Sequence, residues 1–289
     1  MAVQFLLRSW LEGLVRQKVQ ETVIQAAQEQ VQGAAQRAEA AAAQACDVGV
    51  VFALGIESGG LEDLLCGTVT TQGDGFSLRQ GLLGDRRIAV VLAGAGRARA
   101  AKAAEALITG HAPQWVLSAG FAGGLDARLR RYDLLLADHV LDMAGNQLTI
   151  DVQADPAALA AAPHVHVGRL LTADHVVRTP AEKQSLGRQY HALAVDMEAF
   201  AVAEVCRRHQ ARFLAVRVIN DPADEELPHD VEHLLAQKSG AARLGAALGA
   251  LWRRPASFKD MMKLKEHALV ASDRLAKFLA GLFEQLAPR

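Results

Sequence analysis

The chain has 289 residues, 51% of them hydrophobic, with 31 basic side chains set against 32 acidic ones. That is one to two domains' worth of chain with ample apolar surface for a full core. Charges that nearly cancel give no general pull on nucleic acid or anionic lipid, and 5% aromatics is thin for a protein that stacks on bases.

Residues 1–45 read as an N-terminal helical extension. Leu7, Leu11, Val15, Val19 and Val23 recur four apart, an apolar stripe along one helix face, and after Ala26 the segment turns Ala/Gln-rich with little to bury. A packing or oligomerisation helix is expected, with peripheral membrane contact through Phe5, Leu6 and Trp10 as the alternative. Arg8 and Glu12 interrupt this start, so a signal peptide is not expected. No apolar run reaches the ~18 residues of a membrane span.

A core over 46–252 opens abruptly at "DVGVVFALG" (47–55), a β-branched run that reads as a buried strand. "GTVTTQ" (67–72), "FSLRQG" (76–81) and "RRIAVVLAG" (86–94) alternate in part between Gly/Asp turns, as in an antiparallel meander. "RARAAKAAEALITG" (97–110) has helical composition with a glycine stop. "QWVLSAG" (114–120) and "DLLLADHVLDM" (133–143) follow as strands, and 144–165 reads as a loop with a short helix. "HVGRLLTAD" (166–174) and "ARFLAVRVIND" (211–221) read as strands flanking a helix that starts near Met197. Residues 231–252 are expected to be helical, and a Trp-Arg-Arg-Pro break precedes an amphipathic C-terminal helix over 257–285, within a third segment, 253–289. Strands alternating with helices predict an α/β fold: three layers, α/β/α, around a central mixed β-sheet. Cys46, Cys66 and Cys206 form neither a CxxC nor a Cys/His cluster, so no disulfide framework, no metal site and a reducing, cytoplasmic setting are expected.

Ligands of such sheets sit at the carboxyl ends of strands, here 54–58, 93–97, 118–124 and 219–224. These ends hold Glu57, the glycines of "AGAGRARA" and "SAGFAGGL", and the pair Asn220-Asp221 after Arg217. The GxG lacks the third glycine and the acidic partner of a dinucleotide fingerprint. A fourth cluster stands out in "LAVDMEAFAVAEV" (193–205), where Asp196 and Glu198 sit inside an apolar run. Burying such carboxylates unpartnered costs several kcal/mol or shifts their pKa. Asp196 reads as a helix cap or as a supporting acid at the strand-to-helix turn, and whether either carboxylate holds a ligand stays open on these grounds alone.

Together these pieces resemble the nucleoside phosphorylase and nucleosidase superfamily, most closely the 5′-methylthioadenosine/S-adenosylhomocysteine nucleosidases, over roughly 47–250. "VDMEAFAVAEVC" followed by "FLAVRVINDPAD" is the specific part of the match. The resemblance implies an N-ribosyl hydrolase acting on a purine nucleoside. Asp221 would be the general acid toward purine N7, and Glu57 would orient or deprotonate the attacking water with Arg217 nearby. Glu198 would accept from the ribose hydroxyls, with Met197 packed under the sugar. Val176, Val177, Phe121 and Asn220 would meet the base, and Gly94, Gly96, Arg97, Ala119 and Gly120 would form the nucleophile or phosphate loop. No cofactor and no metal are implied, and a homo-oligomer is the family default.

Phe121 stands where the nucleosidases carry a small hydroxyl residue, and Val176 where an aromatic usually stacks on adenine. Three readings stay open: the hydrolase, a purine nucleoside phosphorylase (the hopanoid-associated kind among them), and a nucleoside-binding relative without catalysis. A phosphorylase needs cations for phosphate, and Arg97, Arg99 and Arg217 are the candidates. Glu57 in the first loop would repel that anion, which favours water as the nucleophile.

Overall fold

A computed structural model of the chain describes residues 45–152, 162, 164–227 and 256–286, with side chains of the last segment from Lys265 onward. The helices expected over 1–45 and 231–252 lie outside the described residues. Contacts divide the chain after Ala45, and all described elements belong to the second unit, Cys46–Arg289.

The first strand, β1 (Val48–Phe52), shows why the core forms here. It pairs in parallel with β4 (Arg86–Leu92) on one side and β5 (Trp115–Gly124) on the other, so both of its faces need cover. The period of two delivers that cover. Val48, Val50 and Phe52, with Ile88 and Val90 of β4, point to one layer. Val51, with Ala89 and Val91, points to the other.

The second of these layers packs on α2 (Arg97–His111) and α4 (Ala199–Arg208), through Ala100, Ala103, Ala104, Leu107, Val202 and Val205. The first packs on α1 (Gly55–Glu62) and on the thirty-residue α5 (Ala256–Gln285), through Leu61, Leu275, Leu279 and Phe283. The sheet thus lies between two helical layers, as the sequence implies. The C-terminal helix belongs to one of those layers rather than standing apart from the core.

The meander is present: β2 (Cys66–Gln72) pairs antiparallel with β3 (Ser77–Leu83), and β3 with β4. On the other side of β1 the sheet does something the sequence does not announce. β10 (Arg212–Asp221) pairs with β5, β6 (Leu134–Asp142) with β10, β8 (Val165–Thr172) with β6, and the three-residue β9 (Ala194–Asp196) with both β8 and β5. Five strands therefore close on themselves. Closure sets β9, which runs antiparallel to β5, against Gly123 and Gly124 at the end of β5, on which the end of β10 also pairs, and this brings the motifs into one place.

Three further elements escape the sequence reading. The run 54–58 is not merely a strand end but leads into α1, and 144–165 opens with a short strand β7 (Gln147–Thr149) paired to β6. A helix, α3 (Pro180–Tyr190), fills the gap between β8 and β9. Its start carries a full local signature: Thr179 accepts from the Glu182 amide, and Pro180 occupies the first turn.

Candidate active site

Glu57 is placed by its own helix. α1 starts at Gly55, and the Glu57 carboxylate folds back so that Oε2 accepts from the amides of Leu54 (2.8 Å) and Ala53 (3.1 Å). Its other oxygen accepts from the Phe121 amide at 2.9 Å. Gly120 makes this approach possible: a Cβ there would stand 2.8 Å from Glu57 Oε1. Burial raises the pKa of Glu57, and the three amides and the Arg217 charge oppose the rise. From the other side, Ser272 of α5 accepts from the Gly60 amide and donates to the Glu57 carbonyl, tying α1 to the C-terminal helix.

Glu198 sits at the junction of β9 and α4. Its Oε1 accepts from the Gly96 amide at 2.7 Å, and its Oε2 from the Met197 amide at 3.2 Å. Gly96 is the residue before α2 and has φ 103°, a region that costs a side-chain-bearing residue strain. The chain's own carboxylate thus occupies the amino end of a fifteen-residue helix, a position that favours negative charge. Even so, burial and the neighbouring carboxylates of Asp196 and Glu57 push Glu198 up to about 8.

Asp221 ends β10 and is 6% exposed. Burial pushes its pKa up to about 6, opposed chiefly by Lys183. A Cβ on Gly123 would lie 3.0 Å from Asp221 Oδ2, so glycine on the adjacent strand gives this carboxylate its room. Two buried side-chain atoms among the described residues have no aligned hydrogen bond, Asn220 Oδ1 and Asp221 Oδ2. The second has the Lys183 ammonium 2.7 Å away, and the first has nothing.

These groups surround one cavity of about 360 Å³, within the size range of small-molecule sites. Glu57, Phe121, Val176, Val177, Met197, Glu198, Asn220 and Asp221 all line it. Ala53, Leu54, Ile56, Ala95, His175, Leu227, Lys265 and Ala268 complete much of the wall. A larger open cleft of about 880 Å³ runs past Leu125–Arg131 and Pro222–Asp224, but none of the buried carboxylates faces it.

The remaining sequence candidates stand behind this wall or beside it. Gly94, Gly96, Ala119 and Gly120 shape the backbone without lining the cavity. Arg97 turns away to Asp174 (3.2 Å) and Asp142 (3.6 Å), with its guanidinium over the Phe200 ring. Arg217, 2% exposed, donates to Asp196 Oδ2 (2.5 and 3.2 Å), to both Ser118 oxygens and to the Val216 carbonyl. It reaches Glu57 and Glu198 through its field and not by contact.

A family model described as "Phosphorylase superfamily" matches residues 47–252. The chain belongs to that superfamily. It is 27% identical over 176 residues to a 5′-methylthioadenosine/S-adenosylhomocysteine nucleosidase of Staphylococcus epidermidis, covering 54% of this chain and 77% of the relative. Among solved structures, the Neisseria meningitidis nucleosidase of that name, in complex with methylthio-immucillin-A, superposes with a TM-score of 0.64 at 21% identity, over 83% of this chain and 99% of that one. The Helicobacter pylori futalosine hydrolase gives 0.62 at 19% identity, over 83% and 99%.

The site residue that the sequence does not announce is Lys183. It is wholly buried on α3, and nothing in the sequence reading pointed to it, because the helix that carries it went unread. The signal that could have found it is the "TPAE" start at 179–182, which predicts a helix and so places the lysine one turn in.

Asp196 is more than a cap. It accepts from the Ala199 amide (2.8 Å), from Thr172 (2.7 Å) and from Arg217, all within the core. Asp196→Ala would leave the Arg217 guanidinium buried without its counter-charge. The expected loss is about 3–5 kcal/mol in denaturant unfolding, and a loss below about 1 kcal/mol would show that the pair holds nothing.

Proposed function

We propose that this chain is an N-ribosyl hydrolase that cleaves the glycosidic bond of a purine nucleoside. What carries the reading is a single cavity lined by four carboxylates, Glu57, Asp196, Glu198 and Asp221, of which Asp196 is engaged by Arg217 and the other three converge on the space, while no arginine lines the described wall.

Breaking a C–N glycosidic bond leaves negative charge on the base and positive charge on the sugar. Asp221, held largely out of water, can carry a proton to the base nitrogen as the bond's electron pair moves onto the base. Asn220 Oδ1, which lacks a partner, can accept from an exocyclic amino group beside it. Glu198 can accept from ribose hydroxyls and stabilise the cationic sugar, with Met197 against the ring. Glu57, fixed by three amides, can orient a water and take its proton as the oxygen bonds to the anomeric carbon.

The arrangement disfavours phosphate. In this fold the amino end of α2 is a natural anion site, yet its Gly96 amide is taken by Glu198. Arg97 is paired elsewhere. The likeness to methylthioadenosine/adenosylhomocysteine nucleosidases supports a 5′-substituted adenosine as substrate. The proposal keeps the cytoplasmic, homo-oligomeric setting read from the sequence; the three free cysteines fit a reducing compartment.

The test is a panel of purine nucleosides incubated with and without inorganic phosphate. Free base and free sugar in phosphate-free buffer are expected, with phosphate changing the rate less than about two-fold. Release that needs phosphate and yields a sugar 1-phosphate would overturn the hydrolase reading.

A further inference from the structure

Lys183 is a lysine with no exposed surface, and lysines are almost never buried without a specific partner. Its Nζ donates to the carbonyls of Pro222 (2.9 Å) and Glu225 (2.8 Å), and Asp221 Oδ2 lies 2.7 Å from it as an ion-pair partner. Two carbonyls of the segment just after Asp221 therefore lock the ammonium in place. It cannot swing away when the charge on Asp221 changes.

The other charged groups near Asp221 are arranged differently. Arg131, before β6, is engaged by Glu225 and the Asn220 carbonyl, so its charge is largely answered. Glu225 faces Asp221 with like charge, and Glu57, Asp196, Glu198, His175 and Lys265 stand elsewhere around the cavity, Asp196 being paired with Arg217. Lys183 alone of these makes ion-pair contact with Asp221 among the described residues.

We propose that Lys183 is a positioning residue for acid catalysis: it holds Asp221 by one oxygen and stabilises the carboxylate left when the proton passes to the departing base. This rests on the hydrolase reading above. With Oδ2 against the ammonium, the proton resides on Oδ1. When the glycosidic C–N bond breaks, its electron pair goes to the base, the Oδ1 proton follows to the base nitrogen, and the carboxylate charge appears beside a cation already in place. No reorganisation is needed at that moment. The ammonium favours the ionised form, so it makes Asp221 a stronger acid than burial alone would allow.

The signs follow for Lys183→Met, which keeps length and removes charge. Without the cation, Asp221 holds its proton to higher pH, so the alkaline limb of kcat/KM moves upward by about one pH unit or more. At the same time proton delivery becomes less favourable, and purine release falls about 100-fold.

Because a buried lysine can matter for folding alone, each sample is assayed with two substrates. One is a purine nucleoside, and the other a 4-nitrophenyl riboside, whose leaving group needs no proton. The ratio of the two rates does not depend on how much protein has folded. That ratio is expected to fall at least ~30-fold in Lys183→Met. A double variant, Lys183→Met with Asp221→Asn, is expected to match Asp221→Asn in turnover, since the lysine acts only through the acid.

An unmoved pH limb with an unchanged ratio would overturn the assignment and leave Lys183 as a structural staple of the 222–225 segment. If the wild-type protein releases base from no nucleoside, the hydrolase reading falls and this one with it. If the wild type is active and only the ratio fails to move, the Lys183 assignment alone is lost.

Discussion

Asp221→Asn lowers the release of base from a purine nucleoside by about 10²- to 10⁴-fold while nucleoside binding stays within a few-fold. The substitution keeps shape and hydrogen-bonding capacity but removes the only proton this position can donate. In the native site burial holds Asp221 up to about 6, so the acid is charged with its proton below that pH and empty above it. Wild-type kcat/KM is therefore expected to decline as pH rises through that region, and the Asn variant to show no such limb. Calorimetry with nucleoside, beside single-turnover assays, separates binding from chemistry. A protein that only binds nucleosides would bind equally in both forms and turn over in neither. Wild-type turnover in the Asn variant would remove Asp221 from the reaction.

The parts of this site that were legible in the sequence are those where chemistry interrupts an apolar run. Glu198 inside "AVDMEAFAV" and Asp221 at the end of "FLAVRVIND" announce themselves because carboxylates are costly there. The strand-and-helix alternation is equally readable, since β1 and β4 bury both faces and carry a continuous apolar stretch. What could not be read are relations between segments far apart in the chain. Gly96 looks like a phosphate-loop glycine until its amide is seen holding Glu198, 102 residues away. Arg217 looks like an active-site cation until Asp196 and Ser118 are seen to consume it behind the wall.

Local rules also lost to tertiary ones. α1, "GIESGGLE", has two adjacent interior glycines and a poor intrinsic case for a helix. It forms because Glu57 caps its start and Ser272 of α5 receives the Gly60 amide. The closed arrangement of β5, β10, β6, β8 and β9 rests on β9, three residues long and below what any periodicity can detect. That closure explains how motifs from four separate strand ends come to share one cavity.

Glu198→Gln is expected to act on activity and stability in opposite directions. For activity, the amide keeps an oxygen for the Gly96 N–H, but a cationic sugar draws Glu198 into its ionised form, which glutamine cannot adopt. Turnover should fall by about 10²- to 10³-fold. For stability the sign comes from the raised pKa. Glu198 titrates at about 8 in the folded protein against 4.5 ordinarily, because burial, Asp196 and Glu57 all disfavour its charge. The folded state therefore holds this proton more tightly than the unfolded chain. That advantage is complete below pH 4.5 and is lost as pH rises through 8. Glutamine has no proton to lose, so its melting curve should decline less over the same interval. The two proteins should diverge steadily with pH, with the variant melting about 3–8 °C higher at pH 8. Parallel curves would mean that the carboxylate is not held against its charge. A variant that is both active and no more stable would show that Glu198 neither clamps the sugar nor pays for doing so.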